Sequence, residues 1–235
     1  YLLCASLSAT MVVQFHYNFG SYPDILCYFL LLLTFINKER TNAPYIYFFL
    51  ALLTKETAVF TVLFFLAIKN ISKIKLIFSC SVYLPIYLFL NTGAYNLNHY
   101  LSPLEDDILY WFNQSKQYFF TGYFSSIKFL WIIIALYIFR DFRNSFPIFL
   151  LIIGISLQFM LGGDTTRFIS FIFLALVYIV ENYKLNNFLF LNIFILFLNT
   201  VTAKYYIYAY GQMTILNESR ISFLEFFEIF HKSSI

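Results

Sequence analysis

The chain has 235 residues, of which 61% are hydrophobic, 23% aromatic and 11% charged. Soluble domains carry about 25% charged residues, so a water-facing globular enzyme is excluded, and the scarcity of Pro (5) and Gly (7) excludes a disordered or low-complexity chain. The net charge of +3 arises without any long basic run, which argues against a nucleic-acid partner.

What remains is an all-α class: a polytopic transmembrane helical bundle of about eight or nine membrane segments, with short interfacial helices between them. Residues 1–202 form the bundle, including an extracytoplasmic loop over 91–126, and residues 203–235 form an extracytoplasmic or interfacial tail. The chain opens at Tyr1 inside an apolar stretch with no basic n-region, which reads as a chain entered partway through rather than a signal peptide.

In chain order, apolar segments run over Tyr1–Phe15, Asp24–Asn37, Pro44–Ile68 and Leu76–Leu90, then Ile127–Phe139, Phe146–Leu161, Phe168–Val180 and Phe188–Val201. Between them lie four basic clusters: Lys38 with Arg40; Lys69, Lys73 and Lys75; Arg140 with Arg143; and Lys184. The positive-inside rule puts all four on the cytoplasmic face. An even number of crossings must then separate neighbouring clusters. Pro44–Ile68 satisfies this only as two arms meeting at Thr54-Lys55-Glu56, so a helical hairpin with its tip at Lys55-Glu56 is expected. Adjacent charges are costly at mid-membrane and cheap at such a tip. Cys4, Cys27 and Cys80 are too widely spaced for a metal or redox motif and read as inert thiols.

Three polar groups fall on the opposite, extracytoplasmic side. The first runs from His16 to Asp24. Ser21 and Asp24 have capping-box spacing, and Asp24 also offers a carboxylate at the mouth of a cleft, able to orient a hydroxyl or hold a divalent metal. The second is Lys55-Glu56. The plain reading is a turn with Thr54 capping the returning helix. The functional one is a charge pair in a polar cavity, where Lys55 meets a lipid phosphate and Glu56 sets its position. The third is Gly162-Gly-Asp164-Thr-Thr-Arg167. There Asp164 caps a helix opening at Phe168, and Arg167 with the free N–H groups of that helix start suits a phosphate or pyrophosphate. The three histidines, at 16, 99 and 231, show no metal-ligand spacing, and no resident cofactor is expected.

The run Tyr45-Ile-Tyr-Phe-Phe-Leu-Ala-Leu-Leu-Thr-Lys55-Glu56-Thr-Ala-Val-Phe-Thr-Val-Leu-Phe-Phe-Leu resembles the helix, Lys-Glu, helix segment of GT-C membrane glycosyltransferases, including the protein O-mannosyltransferase and aminoarabinose-transferase relatives. Tyr22-Pro-Asp24-Ile-Leu is similar to their Asp-headed helix. The resemblance covers about Phe19 to Ile68. It implies transfer of a sugar from a polyprenyl-phosphate carrier to an extracytoplasmic acceptor. Lys55 would then contact the donor phosphate, Arg167 would help, and Asp24 would line the cleft. The residues themselves offer Asp24 and Glu56 as candidate catalytic carboxylates, and Lys55, Arg167, Asp164 and His16 as candidate substrate-binding groups. The family's principal acid lies on a first extracytoplasmic loop, upstream of the stretch with which this chain begins. Two other readings stand beside it: a cell-surface polysaccharide polymerase or ligase, and a non-catalytic membrane subunit or transporter. The membrane would be the plasma membrane of a prokaryote or the endoplasmic reticulum of a eukaryote.

Overall fold

The structure is a computed structural model that describes residues 24–91, 127–158, 170–182, 189–201, 205–208 and 212–215. His16, Asp164, Arg167, Lys184, the loop from 92 to 126 and the tail beyond 215 lie outside the described residues.

The described chain is helical, apart from one small hairpin. The α-helices are α1 (Asp24–Ile36), α2 (Ala43–Thr54), α3 (Val62–Ala67), α4 (Lys73–Asn91), α5 (Leu130–Arg140), α6 (Phe146–Gln158), α7 (Phe173–Asn182) and α8 (Leu189–Val201). A 3₁₀ helix over Glu56–Thr61 leads into α3, and another over Ser170–Ile172 leads into α7, where one α-helix from Phe168 was expected. Strands β1 (Tyr205–Tyr208) and β2 (Gln212–Ile215) pair antiparallel, with Tyr205 opposite Ile215 and Tyr208 opposite Gln212. The expected all-α class holds for the described residues apart from this hairpin, where aromatic and β-branched residues such as Tyr206, Ile207, Thr214 and Ile215 favour a pleated strand over a helical turn. No helix among the described residues is long and apolar enough to cross a membrane. The longest, α4, carries Lys73 and Lys75 in its first turn and Pro85 inside it.

The first helices fold back on one another. The tight turn over 37–42 sends α2 back along α1, against which it packs. The chain reverses again after α2, because Phe48 and Phe65, which flank the Lys55 break, meet with ring centroids 5.5 Å apart. At the base of this fold-back the Ser72 N–H donates to the Tyr45 hydroxyl at 2.7 Å. Lys75 Nζ donates to the Thr41 carbonyl (2.9 Å) and to Asn42 Oδ1 (3.0 Å), so α4 starts beside the start of α2. After α5, the turn over 141–145 is held by Asp141, which accepts from the Asn144 side-chain amide at 2.8 Å. Helix α6 then packs against α3 and the 3₁₀ helix before it.

An aromatic chain bolts the packed helices together. Phe35 of α1 stacks on Phe64 of α3 at 6.1 Å. Phe64 meets Tyr178 of α7 edge-on at 6.0 Å, and Tyr178 meets Tyr137 of α5 at 6.3 Å. Such pairs contribute about 0.5–1.5 kcal/mol each beyond their buried area. Four serine and threonine hydroxyls turn back on their own helix: Thr34, Ser79, Ser156 and Thr200 each donate to the carbonyl four residues back, at 2.7–3.0 Å.

Two ends result. At one lie the turns 37–42, 68–72 and 141–145 and the C-terminus of α7, drawn together by the Lys38–Glu181 ion pair and by Tyr178, whose hydroxyl donates to the Asn144 carbonyl at 2.9 Å. At the other lie the start of α1, the Lys55 break, the start of α5 and the 3₁₀ entry to α7.

Candidate functional site

The second end holds the candidate site, and Lys55 is its central residue. Helix α2 stops at Thr54 because Lys55 takes an extended backbone (φ −156°, ψ 121°). The Lys55 N–H still closes the last turn of α2 on the Ala51 carbonyl at 2.9 Å, and its own carbonyl accepts from the Ala58 N–H at 3.1 Å. One residue thus serves both segments, and the break loses little backbone hydrogen bonding. Thr54 does not cap the returning segment: its hydroxyl donates back to the Leu50 carbonyl at 2.8 Å. A threonine already in helical geometry has its own i−4 carbonyl in closer reach than the next segment's amides.

The reversal turns the Lys55 side chain inward. It is 7% exposed, whereas Glu56 next to it is exposed. The 3₁₀ winding of Glu56–Thr61 narrows the chain beneath this elbow and lets α6 approach. Gly154 of α6 lies against the Phe60 backbone so closely that a Cβ would collide with the Phe60 carbonyl oxygen. Asp24 opens α1, and α1 runs antiparallel to α2, so Asp24 and Lys55 belong to the same end of the bundle. Tyr28, one turn into α1, shares a hydrogen bond with Ser170 Oγ and packs edge-on against Phe171 at 5.1 Å. That contact fixes the entry of α7 to the same end. His16, Asp164 and Arg167 lie outside the described residues, so the elbow and the head of α1 are the described part of the expected constellation.

A second buried lysine escaped the sequence reading. Lys128 is 1% exposed and holds φ 47°, a left-handed backbone that a lysine rarely adopts. Its Nζ donates to the Asn199 carbonyl at 3.0 Å, near the C-terminus of α8, where the last carbonyls lack helical partners. In return Asn199 Oδ1 accepts from the Phe129 N–H at 3.0 Å, at the start of α5, where the first amides lack partners. Each helix caps the other, and the ammonium meets the negative end of the α8 dipole. Asn192, Ile195 and Asn199 are all buried, at a spacing of three and then four residues, so α8 turns a partly polar face inward and Phe190, Phe194 and Phe197 outward. Two asparagines a whole number of helical turns apart in an otherwise apolar helix were the available signal.

Among the described residues no group of His, Cys, Asp and Glu is arranged to hold a metal ion. No protein-family model, curated protein or solved structure matches the chain.

Proposed function

We propose that the chain is a membrane-embedded glycosyltransferase, or part of one, that moves a sugar from a polyprenyl-phosphate carrier to an acceptor on the extracytoplasmic side. The observation that carries this reading is the buried Lys55 at the elbow between α2 and its 3₁₀ continuation, next to Glu56 and at the end opposite the basic turns. A lysine held at such an elbow places a positive charge where the phosphate of a lipid carrier would lie.

The bilayer placement is supported by an inverted distribution of polarity. Phe29, Phe78, Phe89, Phe139, Phe190 and Phe197 are all more than half exposed, while Lys55, Lys128, Thr34, Ser170 and Asn199 are buried. Apolar exposure on this scale needs a non-aqueous partner. Helices of 10 to 13 residues measure about 15–20 Å, shorter than a hydrocarbon core of about 30 Å. Local thinning of the bilayer and snorkelling of the basic side chains meet that mismatch.

In the reaction the acceptor oxygen or nitrogen attacks the anomeric carbon. The bond from that carbon to the carrier phosphate breaks, and the phosphate leaves with the electron pair. Lys55, helped by Arg167, neutralises the charge that develops on the leaving phosphate. A carboxylate, Asp24 or Glu56, takes the acceptor proton. Asp164 and His16 line the donor site.

The test is transfer from a polyprenyl-phosphate sugar by the full chain in lipid. Lys55→Met and Arg167→Ala should each lower the rate by about 100-fold or more, with insertion into the membrane unchanged. No transfer by the wild-type chain would exclude the transferase and leave a non-catalytic membrane subunit, and wild-type rates in both variants would remove Lys55 and Arg167 from the phosphate site.

A further inference from the structure

The basic end of the bundle is built unlike the Lys55 end. Its acids are consumed locally. Glu181 pairs with Lys38, Asp141 holds the Asn144 turn, and Glu39 accepts from the Asn70 side-chain amide at 3.3 Å. Lys75 is spent on Thr41 and Asn42. Arg40, Lys69, Lys73 and Arg143 are left exposed, with no acidic partner among the described residues. They come from three different turns that the cross-links above hold at one end. The acids that could have neutralised this surface are therefore turned to internal bonds, and four cations face outward.

Apolar groups interleave with these cations. Ile74 is 81% exposed between Lys73 and Lys75, and Phe78 follows one turn on. Phe139 is 86% exposed beside Arg140, and Phe142 lies exposed beside Arg143. A soluble polyanion would satisfy the cations and leave these rings in water. The headgroup layer of a bilayer satisfies both, phosphates meeting the cations and the acyl boundary taking the rings.

We infer that this end is a docking face for anionic lipid headgroups, with Arg40, Lys69, Lys73 and Arg143 as its phosphate contacts. The inference rests on the bilayer placement proposed above and is independent of the transferase chemistry at the other end. It makes the protein selective for the lipid composition of the leaflet that receives its basic turns. The same contacts fix how deep the short helices sit.

The experiment reconstitutes the full chain in vesicles of phosphatidylcholine, with and without phosphatidylglycerol, and reads two quantities. Resistance to alkaline extraction from pure phosphatidylcholine reports bilayer placement. The ratio of phosphatidylglycerol to phosphatidylcholine that stays with the protein on detergent extraction, relative to the bulk ratio, reports the docking face. Enrichment of phosphatidylglycerol is expected, falling with added salt and by about fivefold for each cation removed. Two separate double variants, Arg40→Gln with Lys69→Gln and Lys73→Gln with Arg143→Gln, keep the result clear of a folding failure in either. Bulk lipid ratios around a wild-type chain that resists extraction would overturn the docking face and leave the placement standing. Enrichment in a chain that alkali strips from phosphatidylcholine would support the face and overturn the placement.

Discussion

Gly154 is the point at which one hydrogen in place of a side chain decides the packing. Its neighbour is the Phe60 backbone carbonyl, which cannot rotate aside as a side chain would. Gly154→Ala must push α6 off the 3₁₀ helix, and overpacking of this kind costs about 1–3 kcal/mol. We expect a lowered melting midpoint for the lipid- or detergent-embedded chain, and a smaller effect for Gly→Ala at a position that faces outward. An unchanged midpoint for Gly154→Ala would mean that α6 and the elbow are farther apart than described. Nothing in the local sequence Ile153-Gly-Ile155 separates this glycine from one that merely tolerates a helix. Its role depends on Phe60, 94 residues earlier in the chain. Lys55 is the opposite case. Two adjacent charges within a long apolar run mark a break on energetic grounds alone, and the break lies there. What charge alone could not indicate is that Lys55 points inward and Glu56 outward, because that follows from the extended backbone of Lys55 and the 3₁₀ turn after it.

At the scale of elements, the mutual capping of α5 and α8 is a latch made from two helix ends. Lys128→Met would leave the Asn199 carbonyl without its charged donor and remove the cation from the negative end of α8. A buried carbonyl stripped of its donor costs about 1–3 kcal/mol. Faster hydrogen exchange of the amides between 195 and 201 should follow, while α1 and α2 stay protected. Asn199→Leu should produce the same signature from the other partner, and the double variant should cost less than the sum, since both remove one latch. If Lys128→Met left α8 exchange unchanged, the latch would be absent. Basic clusters, apolar runs and the elbow were legible as elements because each is a local pattern of charge and hydropathy. The latch was not, because its partners lie 71 residues apart and neither carries a motif. The β1–β2 hairpin was also missed: tyrosine-rich alternation is a weak signal beside the strong apolar helices before it.

Across the whole molecule, the two ends have opposite characters. One end gathers exposed cations without acidic partners among the described residues, together with exposed aromatic rings, and the other holds the buried Lys55 and Lys128. If the bundle sits in a bilayer as proposed, the two ends face opposite compartments. In a chain whose three native cysteines are replaced by serine, single cysteines at Arg143 and at Glu56 should react with a membrane-impermeant thiol reagent from opposite sides of a sealed vesicle. Labelling of both from one side would contradict the two-ended arrangement in the membrane. The partition of charge between ends was readable from the sequence, since it follows from the parity of apolar segments between basic clusters. The fold-back of α2 on α3 through Phe48 and Phe65 is what closes the aromatic core.

The amino-acid sequence by itself determined the helical class, the elbow at Lys55 and the grouping of basic turns at one end. Each of these follows from local transfer energies that favour one placement whatever surrounds it. Only the tertiary structure decided which lysine caps which helix, which glycine admits a neighbouring backbone and which hydroxyl turns back on its own helix. Those outcomes depend on groups distant in the chain, and packing alone brings them within hydrogen-bonding or van der Waals range.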